Sequence, residues 1–292
     1  MSVCDYANKT IINRGWSCDK KYCVTADDGT KLLLRITPHE KSATREDMFK
    51  MMQQVSRLEV PMCRPIEFGF CDEGVYSVQS WIDGSDAEVV IPMLSDNEQY
   101  SYGMKAGKIL KVIHSITAPS TQEDWEIRFN RKIDNKIKMY SECPIKYENG
   151  QFFLEYINAN RHLLKNRPQV FQHGDYHIGN MMIDTKKELQ IIDFDRYDFG
   201  DPWEEFNRIV WCAQKTPLFA SGMVNGYFDN SVPFKFWQLL ALYISSNMLS
   251  SIPWAIPFGQ GEIDTMQNQA KGILQWYDNM KNPIPSWYDG LK

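Results

Sequence analysis

Polar and apolar residues alternate through KKYCVTA and KLLLRIT, on either side of Asp27-Asp28-Gly29-Thr30, between Lys20 and Thr37. A period of two broken by a glycine-bearing turn predicts a β-hairpin. Along KLLLRIT, Leu32, Leu34 and Ile36 share one face and Leu33 and Arg35 the other, because successive strand side chains point to opposite sides. Beyond Pro38 the period changes. Met48, Met51 or Met52, Val55 and Leu58 recur at helical intervals and predict an amphipathic helix from Thr44 to Glu59. Pro61 and Pro65 end it, and IEFGF and VYSVQSW predict two more strands around the turn Cys71-Asp72-Glu73-Gly74. Gln79-Ser80-Trp81-Ile82-Asp83-Gly84 follows as a hinge.

Past the hinge, strand signals give way to helix signals. Tyr100, Met104, Ala106 with Gly107, Leu110 and Ile113 with His114 trace one face of a long helix from Asn97 to Thr117. Between Ser120 and Lys165, mixed charges surround Trp125, Ile127, Ile133 and Ile137, then Phe152, Phe153, Tyr156 and Ile157. This predicts two helices separated near Pro144 and Gly150. Trp203 to Gln214, Pro233 to Ser251 and Glu262 to Met280 read as further helices whose aromatic residues are core. The fold class expected is α+β: a small antiparallel-sheet N-terminal lobe with one main helix, residues 1–82, and a larger, mostly helical C-terminal lobe, residues 83–292.

Composition narrows the classes of partner. The chain of 292 residues is 43% hydrophobic and 24% charged, which is ordinary for a globular protein. With a formal net charge of -5 and no dense Lys/Arg stretch, no nucleic-acid partner is expected. The seven cysteines are scattered without a C-x-x-C pair and read as reduced thiols. MSVCDYANKT has no secretory layout, and the apolar segment from Phe236 to Phe258 is interrupted by polar residues and Pro253. A buried helix, no membrane and a cytoplasmic location are the expectations. The sequence assigns no oligomeric state.

The chemistry concentrates in FQHGDYHIGNMMIDTKKELQIIDFDRYDFGDP, from Phe171 to Pro202. Met181-Met182-Ile183 and Ile191-Ile192 look like short buried strands joined by Asp184-Thr185-Lys186-Lys187. Such an arrangement places Asp175, Asn180 and Asp193 on loops and strand ends. Hard cations such as Mg²⁺ take oxygen ligands, and phosphoryl transfer needs such a metal plus a carboxylate that orients the attacking hydroxyl. Upstream, the backbone of Asn13-Arg14-Gly15-Trp16-Ser17 is either a phosphate-approaching loop or a surface turn. Leu33 and Arg35 are either a base contact with a phosphate contact or a solvated strand end. Glu46 suits a helix N-terminus as well as it suits pairing with Arg35.

These residues resemble the aminoglycoside phosphotransferase and choline kinase family, small-molecule kinases with a two-lobed protein-kinase-like fold. His173-Gly174-Asp175 with Asn180 matches the loop H-G-D-x-x-x-x-N, Ile192-Asp193-Phe194-Asp195 matches the metal-binding segment, and Gly200-Asp201-Pro202 the G-D-P that follows. The resemblance implies that the first lobe binds nucleotide and the second carries catalysis and substrate. It further implies that Asp175 is the catalytic residue receiving the hydroxyl proton, and that Asn180 and Asp193 hold Mg²⁺. Ser17, Leu33, Arg35, Glu46, Gln79, Trp81 and Ile82 are the implied nucleotide-binding residues, with ATP or GTP as donor. Arg35 would stand where the family has lysine, paired with Glu46. His173, Asp201 and Glu205 would support the loop, while Asp195 would assist the metal or position substrate.

The expected function is transfer of the γ-phosphoryl group of ATP or GTP to a hydroxyl of a small molecule. Asp195, Asp198, Asp201, Glu204, Glu205 and Asp229 are either a binding surface for an aminoglycoside-like or amino-alcohol substrate or a solvated acidic face. The alternatives are a catalytically weak nucleotide-binding regulatory module, suggested by Arg35 and the glycine-poor loop at Gly15, and a kinase for another metabolite such as a thiosugar or homoserine.

Overall fold

The structure is a computed structural model that describes residues 8–13 and 19–288. The chain divides into two compact units, one running to Val90 and including Asn180–Tyr197, the other formed by Ile91–Gly179 with the chain from Asp198 onward.

The strands are β1 Lys9–Ile11, β2 Lys20–Thr25, β3 Lys31–Thr37, β4 Pro65–Cys71, β5 Gly74–Ser80, β6 Gly84–Asp86, β7 Val170–Gln172, β8 Met181–Asp184, β9 Leu189–Ile191 and β10 Asp198–Gly200. The helices are α1 Ser42–Ser56, α2 Ala87–Val90, α3 Asp96–Ile113, α4 Trp125–Glu142, α5 Gln151–Asn160, α6 Ile209–Lys215, α7 Pro217–Phe228, α8 Phe234–Ala255 and α9 Gln260–Trp276.

In the first unit an antiparallel sheet has the order β1-β2-β3-β5-β4. Alternation does what the sequence predicts. Leu34 and Ile36 join Val24, Tyr76 and Val78 in a core against which Leu32 packs. Burying one such aliphatic side chain contributes about 1.5–3 kcal/mol. The register sets Arg35 opposite Lys21 on β2 and Ser77 on β5, and Leu33 opposite Gln79. Helix α1 turns Met48, Phe49, Met52 and Val55 inward and packs on β4 and β5. A second sheet, β6-β8-β9, belongs to the same unit, with Gly84–Asp86 pairing antiparallel to β8. Residues 83–90 and 180–197 group with the first unit, because β6 pairs with β8 and Ile191 exchanges backbone hydrogen bonds with Pro61 and Cys63.

The second unit holds α3 to α9 with the two-stranded sheet of β7 and β10. Helix α3 opens on a capping box of Ser95 and Glu98. It crosses α7 at very short range: a Cβ on Gly107 would meet the Met223 carbonyl at 2.1 Å, and one on Gly222 the Tyr100 carbonyl at 2.3 Å. Helix α7 was not expected from the sequence. It is buried nearly all round, so it carries no amphipathic period to read. Its signature is local, with Thr216 as N-cap, its side-chain oxygen accepting from the Phe219 N–H, and Pro217 at the first turn. The stretch from Phe234 to Phe258 is long and apolar enough to cross a membrane, but most of it is buried inside this unit.

Candidate active site

In the second unit, His173-Gly174-Asp175 leaves the end of β7, which β10 fixes by antiparallel pairing. Gly174 sits at φ +83°, a left-handed conformation that glycine adopts without Cβ strain. Its N–H donates to both Glu205 oxygens, at 3.0 and 3.2 Å. His173 is buried, and its Nδ1 accepts the Asp175 N–H at 3.3 Å. The loop is then pinned from two sides. The Tyr176 hydroxyl donates to the Ala106 carbonyl of α3 at 2.7 Å, and the Ile178 N–H donates to Cys212 Sγ of α6 at 3.3 Å. Burial pushes the Glu205 carboxyl up, but the His114 and His173 imidazoles and the Gly174 N–H outweigh it and hold it below the ordinary glutamate value.

Asp201 anchors the other side of this sheet. It accepts from Arg167 Nε at 2.6 Å and Nη2 at 2.8 Å, from the Tyr243 hydroxyl at 2.5 Å, and from the Trp203 N–H at 2.9 Å. His173, Asp201 and Glu205 thus all brace the segments around Asp175. The Asp175 side chain is left with Oδ1 3.1 Å from Arg208 Nε and 3.7 Å from His177 Nε2. His114 caps the C-terminus of α3 and meets the Tyr227 hydroxyl at 2.9 Å, a core role.

In the first unit, the Ile192 N–H donates to the Asn180 carbonyl at 3.1 Å, and β8 pairs with β9. This brings Asn180 beside the Ile192-Asp193 peptide. Asp193 adopts φ +67°, uncommon outside glycine and tolerated by aspartate. Its Oδ1 is buried without a hydrogen bond, 3.8 Å from Arg35 Nη1. Burying a carboxylate oxygen without a donor is costly, and a hard cation is the partner that such an oxygen fits.

Arg35 is buried, 5% exposed, and not a solvated strand end. Its Nη2 reaches Asp19 at 2.7 Å and also donates to Asp195. Arg45 lies 2.9 Å from Asp19 and 2.9 Å from Asp195, and the Thr37 hydroxyl donates to Asp19 at 2.9 Å. Burial lowers the Arg35 affinity for its proton, but Asp195, Asp193 and Asp19 more than reverse this, so the guanidinium stays charged. For Asp195, burial pushes up and the two guanidiniums push further down, leaving it below the ordinary aspartate value.

Glu46 corrects the expectation drawn from the resemblance. It does not pair with Arg35; it is half exposed and bonds Lys50, one turn along α1, at 2.8 Å. The helix buries positions 48, 49, 52 and 55, and residue 45 falls on that stripe whereas residue 46 turns away from it. The anchor of Arg35 is Asp19, joined by Arg45, and neither was singled out from sequence. Leu33 is half-buried on β3. Gln79 is buried, with Nε2 3.8 Å from Met52 Sδ, while Trp81 and Ile82 lie beyond β5 and the Trp81 indole donates to Asp83 at 3.0 Å. Ser17 lies outside the described residues.

The profile of the phosphotransferase enzyme family APH matches residues 10–237. No curated relative matches in sequence. Among solved structures, the chain is similar to a thermostable mutant of aminoglycoside phosphotransferase APH(4)-Ia, at TM-score 0.65 and 14% identity over 91% of this chain and 93% of that one. A choline/ethanolamine kinase family protein from Mesorhizobium loti gives 0.66 at 13% identity over 96% and 92%. Amicoumacin kinase hAmiN, solved with AMP-PNP, Ca²⁺ and Ami, gives 0.66 at 14% identity over 97% and 90%. The fold is kinase-like, and the chain belongs to the APH phosphotransferase enzyme family.

Proposed function

We propose that this phosphotransferase moves the γ-phosphoryl group of ATP or GTP to a hydroxyl of a small molecule. The observation that carries the reading is Asp175. Its carboxylate is set by a braced loop, with His173, Gly174 and Tyr176 all fixed, at the position that matches the H-G-D-x-x-x-x-N motif. In the step, the acceptor oxygen forms a bond to the γ-phosphorus while the bond to the β-γ bridging oxygen breaks. The hydroxyl proton passes to Asp175, and nucleoside diphosphate leaves. Such chemistry needs placement and charge neutralisation more than covalent help.

Asn180 and Asp193 would hold Mg²⁺, and the orphaned Asp193 Oδ1 supports that fit. The further oxygen ligands that such an ion takes would come from phosphate and water. When bound, the ion would neutralise the β- and γ-phosphates. Arg35 would contact phosphate, with Leu33 and the chain at Gln79, Trp81 and Ile82 as the base-side candidates.

A second reading, a nucleotide-binding regulatory module, draws on one observation: Arg35 is already engaged by Asp19 and Asp195. Turnover of ATP and GTP with amino-sugar, macrolide, choline-like and sugar acceptors, with Mg²⁺ or with EDTA, separates the two. A phosphoester formed only with Mg²⁺ supports the kinase. Tight, metal-independent nucleotide binding without any phosphoester supports the regulator.

A further inference from the structure

The ion pairs around Arg35 are graded from inside to outside. The Asp19 side chain is fully buried, those of Arg35, Arg45 and Asp195 are nearly so, and that of Asp193 is 38% exposed. A ligand arriving from solvent therefore meets this cluster at Asp193, the residue whose Oδ1 makes no hydrogen bond. Asp19 closes the far end. It immediately precedes β2, and the register that sets Lys21 opposite Arg35 holds it against that arginine. Its Oδ2 lies 2.7 Å from Arg35 Nη2 and 2.9 Å from Arg45 Nη2, while Oδ1 accepts from the Thr37 hydroxyl at 2.9 Å and from Arg45 Nη2 at 3.1 Å.

The two terminal nitrogens of Arg35 do different things. Nη2 donates to both Asp19 and Asp195. Nη1 lies 3.8 Å from the unbonded Asp193 Oδ1, too far for a hydrogen bond. A guanidinium is a rigid plane, so fixing one nitrogen fixes the direction of the other. A lysine at this position would bring a single nitrogen; held by Asp19 and Asp195, it would leave no second one on the Asp193 side. Arg45 has no end to spare, since its Nη1 meets Asp195 at 2.9 Å and its Nη2 meets Asp19.

We propose that Asp19 is a positioning residue for nucleotide binding: by anchoring Arg35 Nη2 it aims Nη1 at a phosphate oxygen of the nucleotide beside Asp193. Arg45 strengthens the anchor by sharing Asp19 and Asp195, and does not itself touch phosphate. The inference rests on the phosphotransferase reading for the identity of the ligand, and it adds the residue that directs the phosphate-binding arginine.

The test is calorimetry with non-hydrolysable analogues of ATP and GTP, in Mg²⁺ and in EDTA, on wild type, Asp19→Asn, Arg35→Lys and the double variant, below the unfolding temperature of each. Asp19→Asn keeps the shape of the side chain and removes its charge. It should weaken binding of whichever analogue wild type takes at least about tenfold, the loss of one charge-assisted contact. Arg35→Lys keeps the charge and should lose as much, because the second nitrogen is gone; should Asp19→Asn fail to fold, this variant alone decides. In the double variant the losses should not add, since Asp19 acts through Arg35 Nη1. A merely structural Asp19 would give the same fold-loss in either background, which overturns the proposal, as does wild-type affinity in a folded Asp19→Asn or in Arg35→Lys. A wild type that binds the analogue in this pattern but transfers no phosphoryl group sinks the transfer reading and leaves the aiming role standing. A wild type that transfers, with Asp19→Asn binding as tightly, leaves the reading and sinks the role.

Discussion

In the first unit, Arg35 and Arg45 meet Asp19 and Asp195, all four shielded from water, with Asp193 3.8 Å from Arg35. In the second, Arg208 Nε is ion-paired with Asp175 Oδ1 at 3.1 Å, and Lys136 has no ion pair among the described residues. A closed network holds its own backbone in place, so changing one member is felt as stability. A half-buried cation without an ion pair instead makes stability depend on pH through its own titration. The difference predicts which measurement each substitution moves.

The largest effect should come from Arg35→Ala. It strips one of the two shared partners from Asp19 and Asp195 and leaves both buried carboxylates to Arg45 alone, and breaking a buried pair costs about 3–5 kcal/mol. Thermal or urea unfolding should show the loss. A result near zero would mean that the two carboxylates are reached by water and that the contrast between the units is false. Arg35→Lys should recover part of the stability, because one ammonium replaces a fork that spans two carboxylates.

A smaller effect belongs to Lys136. Its proton is held less tightly in the folded chain, about 7, than at the ordinary lysine value of 10.5. Across that window the unfolded chain binds more protons, so stability should rise as pH rises from about 7 towards the ordinary value. Lys136→Met should flatten this slope in unfolding curves taken at several pH values. An unchanged slope would show that Lys136 is hydrated or paired, and the second unit would then be as closed as the first.

Glu46→Gln should do least. The side chain is half exposed and, among the described residues, is bonded along its own helix, so melting temperature and nucleotide KM should both stay at their wild-type values. A large rise in nucleotide KM would return Glu46 to the role that Asp19 and Arg45 fill in the structure.

The fate of Glu46 also shows what can be read from a sequence and what is hidden. The hairpin of β2 and β3 was legible because alternation fixes which side chains share a face, and Leu34 and Ile36 went into the core as expected. The loop around Asp175 was legible because its residues lie within a few positions of one another. Asp19 was not: its partner Arg35 lies across a strand pairing, and only the register that sets Lys21 opposite Arg35 brings it near. Arg45 could have been found, since it falls on the stripe of Met48, Phe49 and Met52 that Glu46 misses. Helix α7 offered no period because it has no solvent face, and only Thr216-Pro217 marked its start. The ion pairs made by the carboxylates of residues 195–229 were hidden for a related reason. Counting carboxylates says nothing about the arginines and lysines that fold back onto them.

The central claim is that Asp175 serves the transfer of phosphoryl to a hydroxyl and not the binding of nucleotide. Asp175→Asn keeps size and hydrogen-bonding shape while removing the acceptor of the proton. Measured side by side with wild type, on the acceptor that wild type turns over, the variant should lose at least about a hundredfold in kcat. Its nucleotide dissociation constant in the presence of Mg²⁺ should be unchanged. Transfer at the wild-type rate by Asp175→Asn would contradict the account.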